Sequence, residues 1–194
     1  MSAERRWDQR RFQLEESTTR NGGARTVFIE HMTPGTAVPP HFHTRFAETF
    51  DLISGSMLVY SSTNPDLDTL DASAQQLKIG EEVTVQPKIY HKYVAGNEPT
   101  VLRATVTPGD GDFERLLKIL NGMDADGELG KMGDSVVLMA VIMGLSDAHL
   151  IGPAREMLEK VLTENKDEVE ALRKDLLTKY DTEEALQDLL VKTA

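Results

Sequence analysis

The sequence predicts a mainly β fold with a helical extension, and three observations carry that reading. Short runs rich in Val, Ile, Thr, Phe and Tyr fill residues 1–110, separated by Gly, Pro, Asn and Asp clusters at intervals suited to an antiparallel sheet, sandwich or barrel. After Pro108 and Gly109 the apolar residues change to helical spacing. The charge divides at the same place: residues 1–110 hold 14 acids and 11 bases, residues 111–194 hold 18 acids and 10 bases.

Taken in order, the expected strands are Arg11–Thr18, Arg25–Met32, Glu48–Ile53, Ser56–Ser61, Gln75–Ile79, Glu82–Gln86, Tyr90–Ala95 and Thr100–Thr107. Pro34, Gly35, Pro39, Pro40, Gly55, Pro65, Gly80, Pro87, Gly96, Pro99, Pro108 and Gly109 are expected to supply the turns. Phe113, Leu116, Leu117 and Leu120 share one face of a helix that should stop near Asn121 and Gly122. The Gly- and Asp-rich stretch Met123–Met132 reads as a connector, and no further strand is expected after it. Ser135–Leu145 is apolar nearly all round, so as a helix it should be buried or lie in an interface. Pro153 opens another helix from a first-turn position, carrying Met157, Leu158, Val161 and Leu162. Asn165 with Glu168, and Asp181 with Glu184, place a capping side chain three residues before a Glu at the head of two further amphipathic runs.

Composition excludes several function classes. The 194-residue chain carries a net charge of -11, a field that repels phosphate backbones, so neither nucleic acid nor an anionic membrane is an expected partner. There is no cysteine, hence no disulfide, thiolate metal site or cysteine nucleophile, and any metal must be held by His and carboxylate. Met1–Gln13 lacks a signal-like apolar core, and Val136–Leu145 is about half a membrane span, so a soluble cytoplasmic protein is expected. Gly-x-Gly-x-x-Gly, Gly-Lys-Ser/Thr and Gly-x-Ser-x-Gly are absent, and Asp124-Ala-Asp126-Gly127 has the wrong spacing for a calcium loop.

Chemistry concentrates around three histidines and a glutamate. His41 and His43 are separated by one residue, so on an extended strand both imidazoles point to one face. Glu48 follows after enough chain for a bend, and His91 lies on a later strand whose same-face residues are Ile89 and Tyr93. Three imidazoles and a carboxylate converging inside a barrel would bind a divalent transition metal, the carboxylate offsetting one of its charges.

The run from Gly35 through His41, His43 and Glu48 to Gly55 resembles the first cupin motif: Gly, five residues, His-x-His, three or four residues, Glu, six residues, Gly. In the second motif Gly80 and His91 keep the family spacing, while Pro87 sits one place late, Lys88 occupies the usual Gly position and Ala95 stands where Asn is usual. The resemblance covers roughly residues 25–110. It implies a double-stranded β-helix (cupin, jelly-roll) barrel within a 1–110 unit that includes the N-terminal strands, followed by a helical extension over 111–194. It also implies one metal inside, bound by His41, His43, Glu48 and His91.

Phe50 shares a face with Glu48, and Tyr93 with His91, so both are candidates to wall a substrate pocket or to pack a core. The Tyr93 hydroxyl can point at a metal-bound ligand, or be satisfied within the barrel. His31 is a further pocket candidate, or a rim residue, and Arg103 either faces the cavity as an anion clamp or projects outward. His149 reads as an ordinary polar helix residue.

Three His and one Glu leave two positions free on a six-coordinate ion, which favours Fe, Mn, Ni or Cu over Zn. The resemblance to quercetin-dioxygenase-like single-domain cupins implies a dioxygenase-type oxidoreductase acting on a small-molecule substrate, with Glu48 taking the substrate proton. Two other readings stay open: redox-neutral isomerase, epimerase or lyase chemistry, or a non-enzymatic small-molecule-binding protein whose helical tail recognises a partner. Family analogy also implies a homodimer paired through barrel edges, with the tail packed across the barrel's outside or mouth.

Overall fold

The computed structural model describes residues 11–130 and 135–191. The strands are β1 (Phe12–Glu16), β2 (Thr26–Met32), β3 (Ala37–Phe42), β4 (Ala47–Ser54), β5 (Met57–Ser62), β6 (Gln75–Leu77), β7 (Glu82–Val85), β8 (Tyr90–Ala95), β9 (Thr100–Thr107) and β10 (His149–Leu150). The helices are α1 (Leu67–Ala72), α2 (Gly111–Ala125), α3 (Val136–Leu145), α4 (Pro153–Glu164), α5 (Lys166–Tyr180) and α6 (Glu183–Leu189). None of these helices is long and apolar enough to cross a membrane.

Two five-stranded antiparallel sheets face each other, in the orders β1-β2-β9-β4-β7 and β10-β3-β8-β5-β6. The pairing is nested. β5 and β6 pair at the centre of the sequence, then β4 with β7, β3 with β8, and β2 with β9. Eight strands that double back in this way form a jelly roll, the double-stranded β-helix that the sequence implied. Period-two alternation turns Glu48, Phe50 and Leu52 of β4, and Leu102, Ala104 and Val106 of β9, into the interior, where all are buried. On β2 the inward row is Phe28, Glu30 and Met32, and on β8 it is His91, Tyr93 and Ala95.

Three local features differ from the sequence expectation. Pro39 and Pro40, expected in a turn, lie inside β3; lacking N–H groups, they interrupt the ladder with β8 between Val38 and His41. The short helix α1 was not anticipated; its start is fixed by Asp66, whose carboxylate accepts the Thr69 N–H at 2.8 Å. β10 follows α3 despite the absence of any strand signal, because two residues opposite Phe42 and His41 are too few to carry a periodic pattern.

The helical region shares the barrel's core. α2 starts at Asp110, which caps the Phe113 N–H at 2.9 Å, and runs past the expected stop at Asn121 and Gly122. Asn121 is held inside by a 2.9 Å bond to Asp188, and Gly122 gives room to the Tyr180 ring, which would stand 2.2 Å from a Cβ there. α3 is buried along Val137, Leu138, Ala140, Val141, Ile142 and Leu145, as its composition requires. α6 is capped by Thr182 rather than Asp181. Asp181 instead receives Lys118 and, at 3.1 Å, Arg115, tying the end of α5 to α2. The connector begins later than expected, since α2 continues to Ala125; residues 131–134, within and beyond that stretch, lie outside the described set.

Candidate metal centre

His41 lies one residue before the end of β3, directly after a proline that breaks the ladder, His43 follows on the turn into β4, Glu48 lies on β4 and His91 on β8, so both sheets contribute. All four side chains are buried, and one potential ligand atom from each lies within 4.8 Å of the others. His41 Nε2 is 3.0 Å from His43 Nε2, His43 Nε2 is 3.1 Å from Glu48 Oε2, and His91 Nε2 is 3.2 Å from the same oxygen.

Each ring is oriented from behind. The Nδ1 atoms of His41, His43 and His91 face the carbonyls of Pro39 (2.7 Å), Asp147 (3.1 Å) and Ile89 (3.0 Å). A carbonyl only accepts, so every Nδ1 carries its proton and donates it, and a neutral ring then presents a bare Nε2 lone pair to the centre. Three lone pairs and a carboxylate aimed at one another call for a cation. The spacing fits one: ligand atoms at about 2.1 Å from an ion, at right angles, stand about 3.0 Å apart. The donor set and its geometry therefore suit a divalent transition metal.

The electrostatics follow from burial and proximity. Burial, with His91 and His43 as like-charged neighbours, pulls His41 down to about 3, so it is neutral across the physiological range. Burial opposes protonation of His43 too, but the Glu48 charge and hydrogen bond outweigh it and raise its pKa above the ordinary imidazole value. Burial likewise pushes Glu48 up, and His43 and His91 more than offset it, holding the carboxyl well below the usual carboxylate range.

The ligands open onto a cavity of about 200 Å³. Phe28 and Phe50 flank it from β2 and β4, both paired with the small Ala104 of β9 between them. Phe113, Leu116, Leu117 and Leu120 of α2 and Ile142 and Met143 of α3 supply further wall, so the tail closes the barrel rather than decorating it. Phe50 is buried and faces Tyr93 with ring centroids 5.4 Å apart.

Tyr93 does lie on the His91 face, but its hydroxyl donates to Glu30 of the opposite sheet at 3.1 Å instead of pointing at the metal position. Burial, then the charges of Glu30 and Glu48, push its pKa well above the ordinary tyrosine value, so it keeps its proton. Two pocket expectations are corrected. His31 lies on the outer face of β2, where its ring bonds Gln13 at 3.1 Å, because the inward row of that strand is Phe28, Glu30 and Met32. Arg103 also points outward, its guanidinium bound to Glu15 at 2.8 Å and Asp51 at 3.0 Å, while its neighbours Leu102 and Ala104 face the core.

Glu30, Arg11 and Asp147 were missed by the sequence reading. Period-two parity places Glu30 on the Phe28 face but does not tell that face from the equally apolar row of Val27 and Ile29. Asp147 had no such signal, since it reaches the centre through a backbone carbonyl from the loop after α3. Its carboxylate also accepts the N–H groups of Thr44 (2.6 Å) and Arg45 (2.8 Å), fixing the turn between His43 and β4.

No protein-family model matches the chain, and no curated protein does. Among solved structures it is similar to KdgF from Halomonas sp., at 15% identity over 52% of this chain and 80% of that one, with a TM-score of 0.43. It is similar to an uncharacterized conserved protein with a double-stranded beta-helix domain from Klebsiella pneumoniae, at 24% identity over 45% of this chain and 70% of the other (TM-score 0.38). The Schizosaccharomyces pombe Cnp3 cupin domain is 15% identical over 50% of this chain and 63% of its own, with a TM-score of 0.41.

Proposed function

This chain has the cupin fold, and on that premise we propose that it is an enzyme using one divalent transition metal, held by His41, His43, Glu48 and His91, to carry out dioxygenase-type chemistry on a small, largely apolar molecule. The observation that supports this most is the way four convergent ligand atoms face a small cavity walled by phenylalanine and leucine. A bound ion would supply Lewis-acid activation of a substrate oxygen and, if redox-active, a path for electrons to dioxygen.

The chain's own residues determine the rest. Three neutral imidazoles and one carboxylate leave a divalent centre with a net charge of about +1, which favours an ionised enol or hydroxyl oxygen. Four protein ligands leave room for two more donor atoms. Phe28, Phe50, Phe113 and Ile142 exclude water from the position beside them and suit an apolar body far better than a polyhydroxylated sugar. Glu48 is the proton acceptor of the set. As a ligand of a bound cation it would be a weak base, able to take a proton only from an oxygen that the same cation has acidified.

Oxygen uptake tests the reading. Protein loaded with Fe(II), Mn(II), Ni(II) or Cu(II) is offered single-ring catechols, β-diketones and aryl 2-oxo acids, and dioxygen consumption matched to substrate loss is expected with at least one pair. Turnover that persists after removal of dioxygen would replace the oxidative reading with an isomerase or lyase. No turnover with any loaded metal would overturn the enzymatic one.

A further inference from the structure

Glu30 is a carboxylate on the interior row of β2, 4% exposed, between the buried Phe28 and Met32. Burying such a charge is unfavourable unless it is paired and hydrogen-bonded. It is paired. Arg11, one-third exposed at the cavity rim, reaches Oε1 through Nη2 at 3.0 Å and Nε at 3.3 Å, and the Tyr93 hydroxyl donates to Oε2 at 3.1 Å. A carboxylate offers about four lone-pair sites, so these bonds leave acceptor capacity in a residue that lines the cavity. Tyr93 follows His91 by two residues on one face of β8, which puts this cluster about 7 Å along the barrel from the metal ligands. Between the two polar ends the walls are apolar.

From these observations we infer that the Arg11–Glu30–Tyr93 cluster is a second recognition station. Its occupant is a single-ring molecule bearing a chelating oxygen pair at one end and a neutral hydroxyl at the other, the hydroxyl donating to Glu30. This rests on the metal-centre reading and adds the substrate class to it. Size limits the occupant: an engineered cavity of about 150 Å³ in another protein accommodates benzene, so the roughly 200 Å³ here takes one ring and a few further atoms, not a three-ring flavonol. Charge limits it as well. Arg11 and Glu30 cancel, so a neutral hydroxyl enters without leaving an excess buried charge, whereas a second carboxylate would face Glu30.

Hydroxamates test the station without turnover, because they grip a metal through two oxygens. Binding of benzohydroxamate, 4-hydroxybenzohydroxamate and 4-carboxybenzohydroxamate to the Ni(II)-loaded full chain is measured by calorimetry without dioxygen, with metal content checked by elemental analysis. The 4-hydroxy compound is expected to bind about tenfold or more tightly than the parent, and the 4-carboxy compound more weakly than the parent. In Glu30→Gln the hydroxyl advantage should shrink to within about threefold and the carboxylate penalty should lessen, while Tyr93→Phe, which leaves the Glu30 carboxylate in place, should keep the hydroxyl preference. The ratio of two constants on one preparation is independent of the folded fraction, and the wild-type ratio decides even if a variant fails to fold. Equal binding of the parent and 4-hydroxy probes by wild-type protein overturns the station and leaves the metal reading intact. Failure of the chain to hold Ni(II), or of the loaded chain to bind any hydroxamate, overturns the metal-centre reading and the station with it.

Discussion

The backbone carbonyl of Asp147 accepts the Nδ1–H of His43 at 3.1 Å across 104 residues of sequence, so a loop of the helical extension sets the orientation of a candidate metal ligand in the barrel. The same residue holds the Thr44 and Arg45 amides with its carboxylate. Asp147→Ala keeps that carbonyl but removes the carboxylate that anchors its loop, so it should lower metal affinity by up to about tenfold as the His43 ring loses its fixed support, and cost about 1–3 kcal/mol of stability through the orphaned amides. Competition with a chromophoric chelator and urea unfolding measure the two. Unchanged metal affinity would show that the loop merely packs there.

Lys88 has a left-handed backbone, φ 68°, at the position where the second cupin motif has Gly, and its N–H donates to the His43 carbonyl at 2.7 Å. The turn is built despite the side chain. Lys88→Gly should therefore stabilise the protein by about 0.5–1 kcal/mol, an increase of about 1–4 °C in Tm, with metal content unaltered. Calorimetry of the two proteins checks it, and a drop in Tm would contradict the strain.

Asp181 gives a pH signature. Burial works against its ionisation, but Lys118 and Arg115 outweigh it and hold its pKa below the usual aspartate value. A carboxyl lowered on folding adds stability that is complete above its unfolded pKa and disappears as pH falls through the lower folded one. Asp181→Asn should cost about 1–2 kcal/mol at pH 7, a cost that shrinks as pH falls below the unfolded aspartate value of about 3.9 and vanishes once pH is below the lower folded one. Urea titrations across that range read the difference.

Arg103→Ala and His31→Ala separate outward from inward placement. Arg103 is 40% exposed and ion-paired on the surface, so its loss should change stability by no more than about 1 kcal/mol and leave ligand binding unchanged; His31→Ala should leave binding unchanged likewise. A tenfold loss of affinity in either variant would return that residue to the cavity.

The candidate metal ligands were legible because His41 and His43 share a strand face by period alone, and because their distances to Glu48, Gly55 and Gly35 in sequence repeat a family pattern. The strands that carry them followed from alternation. Parity failed on β2 for a physical reason: Val27, Ile29 and His31 look as apolar as Phe28, Glu30 and Met32, and the charged member of the inward row argues for the wrong face until Arg11 and Tyr93 are seen to satisfy it. Arg103 was undecidable for the same reason, its partners Glu15 and Asp51 coming from other strands. The tail's part in the site left no trace in sequence, since a backbone carbonyl carries no residue preference. Asp181 read as a cap because its spacing to Glu184 matches one, but two nearby cations draw its carboxylate away.

The nested strand pairing sets what each contact of the centre costs in loop closure. Closing a loop costs more entropy as its span grows. His43 and Glu48 lie 5 residues apart, Glu48 and His91 43 apart, and His43 and Asp147 104 apart. On closure entropy alone, joining the pincer to its carboxylate is the least costly step, bringing in the third histidine through the β3–β8 pairing costs more, and seating the carbonyl that aims His43 costs most. The tail's hold on the donor set is therefore the contact that closure entropy opposes most strongly.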